Sequence, residues 1–296
     1  MQFLAFLALA SGCYLLTSFI TTVFFSDIIA AITNNNAVTD DLIPRYKVVQ
    51  LVSAIGSFLL PALLFGYFSS PEALPYVGVQ KSISPVLLLA CLFLLVSVQP
   101  FVGWLGNLNA KINFGSMQAS LQSAEDQRDR VMKVFLNMKS VSALLVNIVV
   151  MALLPAVAEE LFFRGALQKA LLRLSDQPWL AILISSLIFA LLHLTVFKVL
   201  PIFFLGLLLG TIYHFTRNLW YTIFIHFLNN AMAVMAYYLA DRNQAIKRFA
   251  NDNINVHVLL ALISLAAVVA LMYFIKKKGD EVLPAIVTNE DNDYIA

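Results

Sequence analysis

The sequence predicts an all-α polytopic membrane protein, a bundle of about eight transmembrane helices around a polar intramembrane cavity. Of its 296 residues, 60% are hydrophobic and only 12% are charged, and its mean hydropathy is +0.83. In soluble domains, about a quarter of all residues are charged. The apolar residues form runs near the length of about 20 residues that a helix needs to cross the hydrocarbon core. A few ionisable and amide side chains interrupt these runs, and such groups usually face the inside of a bundle.

The apolar runs divide the chain into three parts. Residues 1–140 are expected to form N-terminal transmembrane helices and an amphipathic connecting helix, residues 141–240 a core that holds the polar groups, and residues 241–296 a polar loop, a last transmembrane helix and a disordered tail. The spans themselves are expected at residues 3–25, 46–68, 84–104, 141–172, 178–196, 199–216, 219–240 and 257–275.

Charged residues cluster in the connection at about residues 105–140. Asp126 and Arg130 are four residues apart, as are Asp129 and Lys133, which is the spacing of helical ion pairs. Apolar side chains recur on another face of the same segment. The pattern predicts an amphipathic helix that either lies on the membrane surface or forms a solvated linker, and the sequence leaves both settings open.

Gly206 and Gly210 form a small-xxx-small pair in the span expected at residues 199–216. Such a pair lets two helices approach closely. Because neighbouring helices of one chain are already tethered, we expect a packing seam within the monomer rather than a dimer interface.

Two adjacent glutamates and an arginine, Glu159, Glu160 and Arg164, lie within a strongly apolar span. Ionised groups at membrane depth cost several kcal/mol each, so they usually pair, face a wet cavity or carry chemistry. In a helix Glu160 and Arg164 face each other, because they are four residues apart. Glu159 points about 100° away and has no local partner. We therefore expect Glu159 to be the working group, with Glu160 and Arg164 fixing the helix and the electrostatics around it.

Polar side chains also occur in the later spans. His193 falls near the end of the span at 178–196, and Phe189, four residues earlier, is expected to pack one turn beneath it. His226 and Asn230 are four residues apart and project from one face of the span at 219–240. Polar groups from three helices can meet only in a pocket in the bundle core.

This set of residues suits the attack of water on an amide carbonyl. A glutamate in an apolar, water-restricted pocket is a suitable general base, so Glu159 is expected to take a proton from water. A neutral His193 is expected to hold or orient the same water. His226 and the amide of Asn230 are expected to donate to the oxyanion that develops on the carbonyl oxygen.

Three motifs carry a family resemblance. They read EExxxR from Glu159 to Arg164, FxxxH from Phe189 to His193, and HxxxN from His226 to Asn230. In this order on membrane helices, they resemble the CAAX protease and bacteriocin-processing family (CPBP, Abi-type) of intramembrane endopeptidases, which is related to the Ras-converting CAAX prenyl endopeptidase. The resemblance covers about residues 140–240, and the core at 141–240 is accordingly expected to be of CPBP type.

The resemblance implies an eight-helix membrane fold with a catalytic cavity and a glutamate-type protease mechanism. Carried over position by position, it implies a general base at Glu159, a water-orienting histidine at His193, and an oxyanion site at His226 and Asn230. The first three spans and the tail match no pattern of the family, so they give no information about the substrate.

We therefore expect an intramembrane endopeptidase that hydrolyses a peptide bond in a small peptide or a membrane-anchored protein. It is expected to be a multi-pass protein of the lipid bilayer, in the bacterial inner membrane. No cofactor or metal is expected. The net charge of +2 is too small to indicate a nucleic-acid partner, and the oligomeric state is left open.

Three other interpretations remain open. One glutamate, two histidines and an amide could hold zinc, although asparagine is a poor zinc ligand and no HExxH motif is present. A proton-coupled transporter would use the same residues as a relay, and it predicts broken helices and repeat symmetry. A non-enzymatic immunity or partner-binding membrane protein could have the same fold.

Overall fold

The computed structural model of the protein describes residues 2–33, 42–244 and 256–287, and the regular elements within these ranges are all helices. Buried backbone groups in a bilayer must be hydrogen-bonded within the protein, and helices achieve this within each segment. The helices of four or more residues are α1 (Gln2–Phe24), α2 (Ser26–Thr33), α3 (Ile43–Ser69), α4 (Ala73–Tyr76), α5 (Pro85–Asn109), α6 (Gln118–Phe135), α7 (Val141–Ser175), α8 (Pro178–Leu192), α9 (Val199–Thr216), α10 (Leu219–Ala240) and α11 (Val258–Val287).

The structure confirms an all-α polytopic membrane fold. Seven helices within the described ranges are long and apolar enough to cross a membrane, namely α1, α3, α5, α7, α9, α10 and α11. The remaining expected span corresponds to α8, which is apolar but only 15 residues long. It ends before His193 because the chain turns there: Leu194 has a left-handed φ of 53°, and a 3-10 turn follows at Val196–Lys198.

The last helix is longer than the sequence predicted. The expected span ended at residue 275, with a tail from Lys276, whereas α11 continues to Val287. Ion pairs from Lys276 to Asp280 and from Lys278 to Glu281 lie along this extension, and pairs at these spacings support a helix. The other parts of the tail and of the polar loop, residues 288–296 and 245–255, lie outside the described residues.

Helix α7 contains two π-helical segments, Ile148–Leu153 and Leu161–Gln168. The second begins directly after the two glutamates. Segments of this kind occur mostly as local insertions in α-helices and are frequent at functional sites. The helix remains continuous through both segments, whereas the transporter interpretation predicted a broken helix.

Two of the three clusters of buried apolar side chains in the described residues adjoin the polar groups. The first joins α1, α3 and the second half of α7, and includes Phe163 and Phe189. The second joins α5, α9, α10 and α11. The polar residues of α7 and α10 lie where these clusters meet, because Phe189 of the first and Ile225 of the second line the same cavity.

The glycine pair marks a seam inside the monomer, as expected. A Cβ atom placed on Gly206 would lie 3.1 Å from Cβ of Ser186 and 3.3 Å from the ring of Phe189. A Cβ atom on Gly210 would lie 3.1 Å from the side chain of Ile182. Helix α9 therefore packs closely on α8 because these two positions lack side chains.

Candidate active site

Glu160 and Arg164 form the buried ion pair that their spacing predicted. Nη1 of Arg164 lies 3.1 Å from Oε1 of Glu160, and the side chains are 2% and 0% exposed. Nη2 of Arg164 donates to the carbonyl oxygen of Gly206 at 3.2 Å, and the guanidinium stacks over the ring of Phe189 at 4.7 Å. The arginine is thus fixed by an anion, a backbone carbonyl and an aromatic face.

Glu160 also holds His226 of α10. Nδ1 of His226 lies 2.9 Å from Oε1 of Glu160. An ionised carboxylate only accepts hydrogen bonds, so Nδ1 must carry the hydrogen in this contact. Nε2 of a neutral His226 is then unprotonated, and it becomes a donor only when the ring takes up a second proton. Carboxylates that fix a histidine in this way set its tautomer and its orientation.

Glu159 has a different environment from its neighbour. Its side chain is 19% exposed, whereas that of Glu160 is 0% exposed. Oε2 of Glu159 is buried, has no hydrogen-bond partner among the described residues and lies 3.8 Å from Nε2 of His226. Glu160 also has an unpaired oxygen, Oε2, but its Oε1 is already shared by Arg164 and His226. Glu159 is therefore the more exposed of the two carboxylates and the one that is not engaged by Arg164 at close range.

His193 lies directly after α8 and is exposed, in contrast to the buried His226. Its Nδ1 is 2.8 Å from the carbonyl oxygen of Phe189. A carbonyl oxygen accepts only, so Nδ1 carries the hydrogen and Nε2 of a neutral ring is an acceptor. The ring of Phe189 contacts both histidines, with centroids 4.6 Å from His193 and 5.9 Å from His226.

A cavity of about 190 Å³ adjoins these groups. Its walls are mostly apolar side chains of α5 and α9, and its polar side chains are His193, His226, Asn229 and Asn230. Glu159 is not among the lining residues, and it approaches them through the 3.8 Å contact with His226. Three of the four residues expected to be catalytic thus line one cavity, and the fourth adjoins it.

Asn229 is a polar lining residue that the sequence did not single out. It lies one position before Asn230 and three after His226, so all three share one side of α10. One feature of the sequence could have identified Asn229 as a site residue: it lies next to Asn230 within an apolar span. Polar residues in such spans usually have a partner.

The described residues contain no group of three or more histidine, cysteine, aspartate or glutamate side chains that could hold a metal ion. The glutamates and His226 instead form a contiguous set with Arg164, which supplies the counter-charge. Asn230 and the two histidines offer hydrogen-bonding atoms to the cavity. The arrangement can bind a peptide group, activate water and stabilise a negative charge.

The fold and the site together define a polytopic membrane protein with ionisable groups gathered among its helices. Residues 141–232 match the model of a protein family described as type II CAAX prenyl endopeptidase Rce1-like. This segment runs from the start of α7 into α10 and includes all three motifs. Over this segment the chain is similar to the Rce1-like CAAX prenyl endopeptidases, which are a family of proteases. No curated protein and no solved structure matches the chain.

Proposed function

We propose that the protein is an intramembrane endopeptidase that uses Glu159 as general base, with residues 141–240 as its catalytic core. The observation that carries this proposal is the carboxylate of Glu159, which has an open oxygen beside Nε2 of His226. A buried carboxylate oxygen without a hydrogen bond is costly, and binding a water molecule or a substrate group would offset that cost.

Glu159 takes a proton from water as the water oxygen attacks the carbonyl carbon of the scissile peptide bond. A tetrahedral oxyanion forms, its C–N bond breaks, and Glu159 returns the proton to the leaving nitrogen. Nε2 of His193 accepts a hydrogen bond from the other O–H of the same water and so orients it. This scheme uses no metal, because Glu159 activates the water and His226 and Asn230 stabilise the oxyanion.

The oxyanion receives hydrogen bonds from Asn230 and from the doubly protonated form of His226. Nδ1 of His226 is occupied by Glu160, so His226 donates to the oxyanion through Nε2. The negative charge of Glu160 stabilises that protonated ring, in the way that a buried carboxylate supports a catalytic imidazolium. Arg164 balances Glu160, which lets this carboxylate remain ionised in an apolar bundle.

The substrate is a small peptide or a membrane-anchored protein, and the location is the bacterial inner membrane. The apolar cavity walls accommodate a side chain next to the scissile bond, and Asn229 offers its amide to the backbone of the substrate. The lipid bilayer brings a membrane-anchored substrate to the same depth as the site.

The test compares membrane peptides and small proteins by mass spectrometry in cells that carry the wild type, Glu159→Gln or Glu72→Gln. Glu159→Gln removes the base with little change in shape. Glu72 is an exposed glutamate outside the spans, so Glu72→Gln is the matched control. Cleavage products that disappear only in Glu159→Gln are expected. Identical profiles in all three strains would contradict the proposal and favour a partner-binding protein without protease activity.

A further inference from the structure

The segment 193–198, which we call the His193 loop, joins α8 to α9 and carries His193 at its first position. Leu194, which follows His193, has a φ of 53°. A leucine adopts this left-handed conformation only when its surroundings hold it. The side chain of Leu194 is 67% exposed and cannot supply that restraint. The backbone N–H of Leu194 bonds to the carbonyl oxygen of Leu191 at 3.0 Å, which ties it to α8 alone. Restraint from other helices must therefore come from contacts further along the loop.

Two polar side chains from other helices supply these contacts. Asn109, at the end of α5, is fully buried, and its Nδ2 donates to the carbonyl oxygen of Val196 at 2.8 Å. Its Oδ1 accepts from the backbone N–H of Leu200 at 2.8 Å. The second anchor is Glu125 of α6, whose Oε1 accepts from Oγ1 of Thr195 at 2.9 Å.

Glu125 is an unusual residue on an otherwise solvent-facing helix. It is 8% exposed, while most of its neighbours on α6 are exposed. Its Oε1 also lies 3.4 Å from Nζ of Lys198, and its Oε2 lies 3.2 Å from Nη1 of Arg128. The carboxylate therefore joins α6 to both ends of a four-residue stretch of the His193 loop.

We propose that Glu125 is a positioning residue for His193 and that α6 thereby belongs to the catalytic apparatus. Thr195 lies two residues after His193, so the bond from Thr195 to Glu125 limits the movement of the last turn of α8. The bond between His193 and the carbonyl of Phe189 fixes the rotation of the ring, but it lies within the same turn and moves with it. Only contacts from outside α8 keep that turn beside the cavity.

This inference rests on the proposed function, because His193 is given its role there. The family model matches residues 141–232. The inference extends the proposed function to α6, which lies outside that range. From the sequence, α6 was expected to lie on the membrane surface or to form a solvated linker. Neither expectation included a role in catalysis. The ion pairs of Lys198 contribute less, because its side chain is 60% exposed and exposed pairs are weak.

The test uses the purified full chain in lipid nanodiscs with a peptide whose cleavage is lost in Glu159→Gln. Thr195→Val removes the hydroxyl at nearly constant shape, and Thr195→Ser retains it. Asp126→Asn changes an exposed neighbour on α6 and serves as the control. We expect Thr195→Val and Glu125→Ala to lower kcat by about 10- to 100-fold, as the loss of such outer contacts does elsewhere, with KM and the unfolding midpoint unchanged. Thr195→Ser and Asp126→Asn should match the wild type.

A double-mutant cycle identifies the residue through which the bond between Thr195 and Glu125 acts. If it acts through His193, then Thr195→Val has no further effect on the residual activity of His193→Ala. Additive losses, or a Thr195→Val variant with the kcat of the wild type, would overturn the inference and leave the proposed function intact. If the wild type cleaves nothing, the proposed function fails instead.

Hydrogen exchange of peptides covering residues 190–198 tests the positioning without any need for activity. Thr195→Val should exchange faster than the wild type in this segment, and Thr195→Ser should not. Equal protection in the wild type and Thr195→Val would refute the anchoring by Glu125, whether or not the protein is a protease.

Discussion

Replacing Glu160 by glutamine should destabilise the protein far more than the loss of an equally short ion pair elsewhere. The change keeps the shape of the side chain but leaves Arg164 without its counter-charge in a site where the two side chains are 2% and 0% exposed. At the 3.1 Å separation, Coulomb's law with an effective dielectric constant of about 20 gives an attraction of about 5 kcal/mol. Removing one partner of a buried pair costs about 3–5 kcal/mol.

The chain contains a matched control for this measurement. Lys276 and Asp280 are also four residues apart, and their charged atoms are 3.0 Å apart, but their side chains are 52% and 55% exposed. Exposed helical pairs contribute about 0.3–0.5 kcal/mol, so Asp280→Asn should change the stability by no more than that. The two pairs therefore differ mainly in burial.

The assay is thermal unfolding of the purified full chain in detergent, followed by circular dichroism. At about 2–4 °C for each kcal/mol, Glu160→Gln should lower Tm by about 6–20 °C, and Asp280→Asn by no more than about 2 °C. Equal shifts in the two variants would refute the reasoning, because they would mean that burial adds nothing to the cost of an unpaired Arg164.

The remaining predictions concern packing, metal and substrate binding. Gly206→Ala should cost about 1–3 kcal/mol of unfolding free energy, because its Cβ would lie 3.1 Å from Ser186. Gly12→Ala, which has open space around it, should cost nothing in the same melt. Proteolysis should persist after exhaustive chelation, and activity that is lost and then restored by zinc would contradict a metal-free mechanism. Asn229→Leu should raise KM about 5-fold without changing kcat, since one hydrogen bond to the substrate is lost; a fall in kcat alone would contradict that role.

The sequence predicted the parts of the structure that depend on local spacing. The apolar runs identified the helices because a membrane span has a fixed minimum length. The pair of Glu160 and Arg164 followed from the helical repeat, as did the shared face of His226 and Asn230. The close approach at Gly206 followed from the absence of side chains at two positions one turn apart.

Contacts between distant segments could not be predicted in the same way. His226 is 66 residues from Glu160, and Thr195 is 70 residues from Glu125. Both bonds depend on how the helices pack, and no periodicity in one segment specifies its partner. The early end of α8 was missed for a related reason: the left-handed turn at Leu194 is held by Asn109 and Glu125, which are distant in the sequence, and apolar residues lie on both sides of the turn.

Glu160 has two tasks in this structure, and a double substitution should separate them. Arg164→Met added to Glu160→Gln removes the stranded cation, and buried ion pairs replaced by neutral groups of similar volume are often as stable as before. We therefore expect the double variant to recover most of the Tm lost in Glu160→Gln. Proteolysis should nevertheless stay lower by about 10²- to 10⁴-fold in both variants, because a glutamine can donate to Nδ1 of His226 and select the wrong tautomer, and it carries no charge to support an imidazolium. If activity returned together with stability, Glu160 would serve only as the counter-ion of Arg164, and His226 would not depend on it.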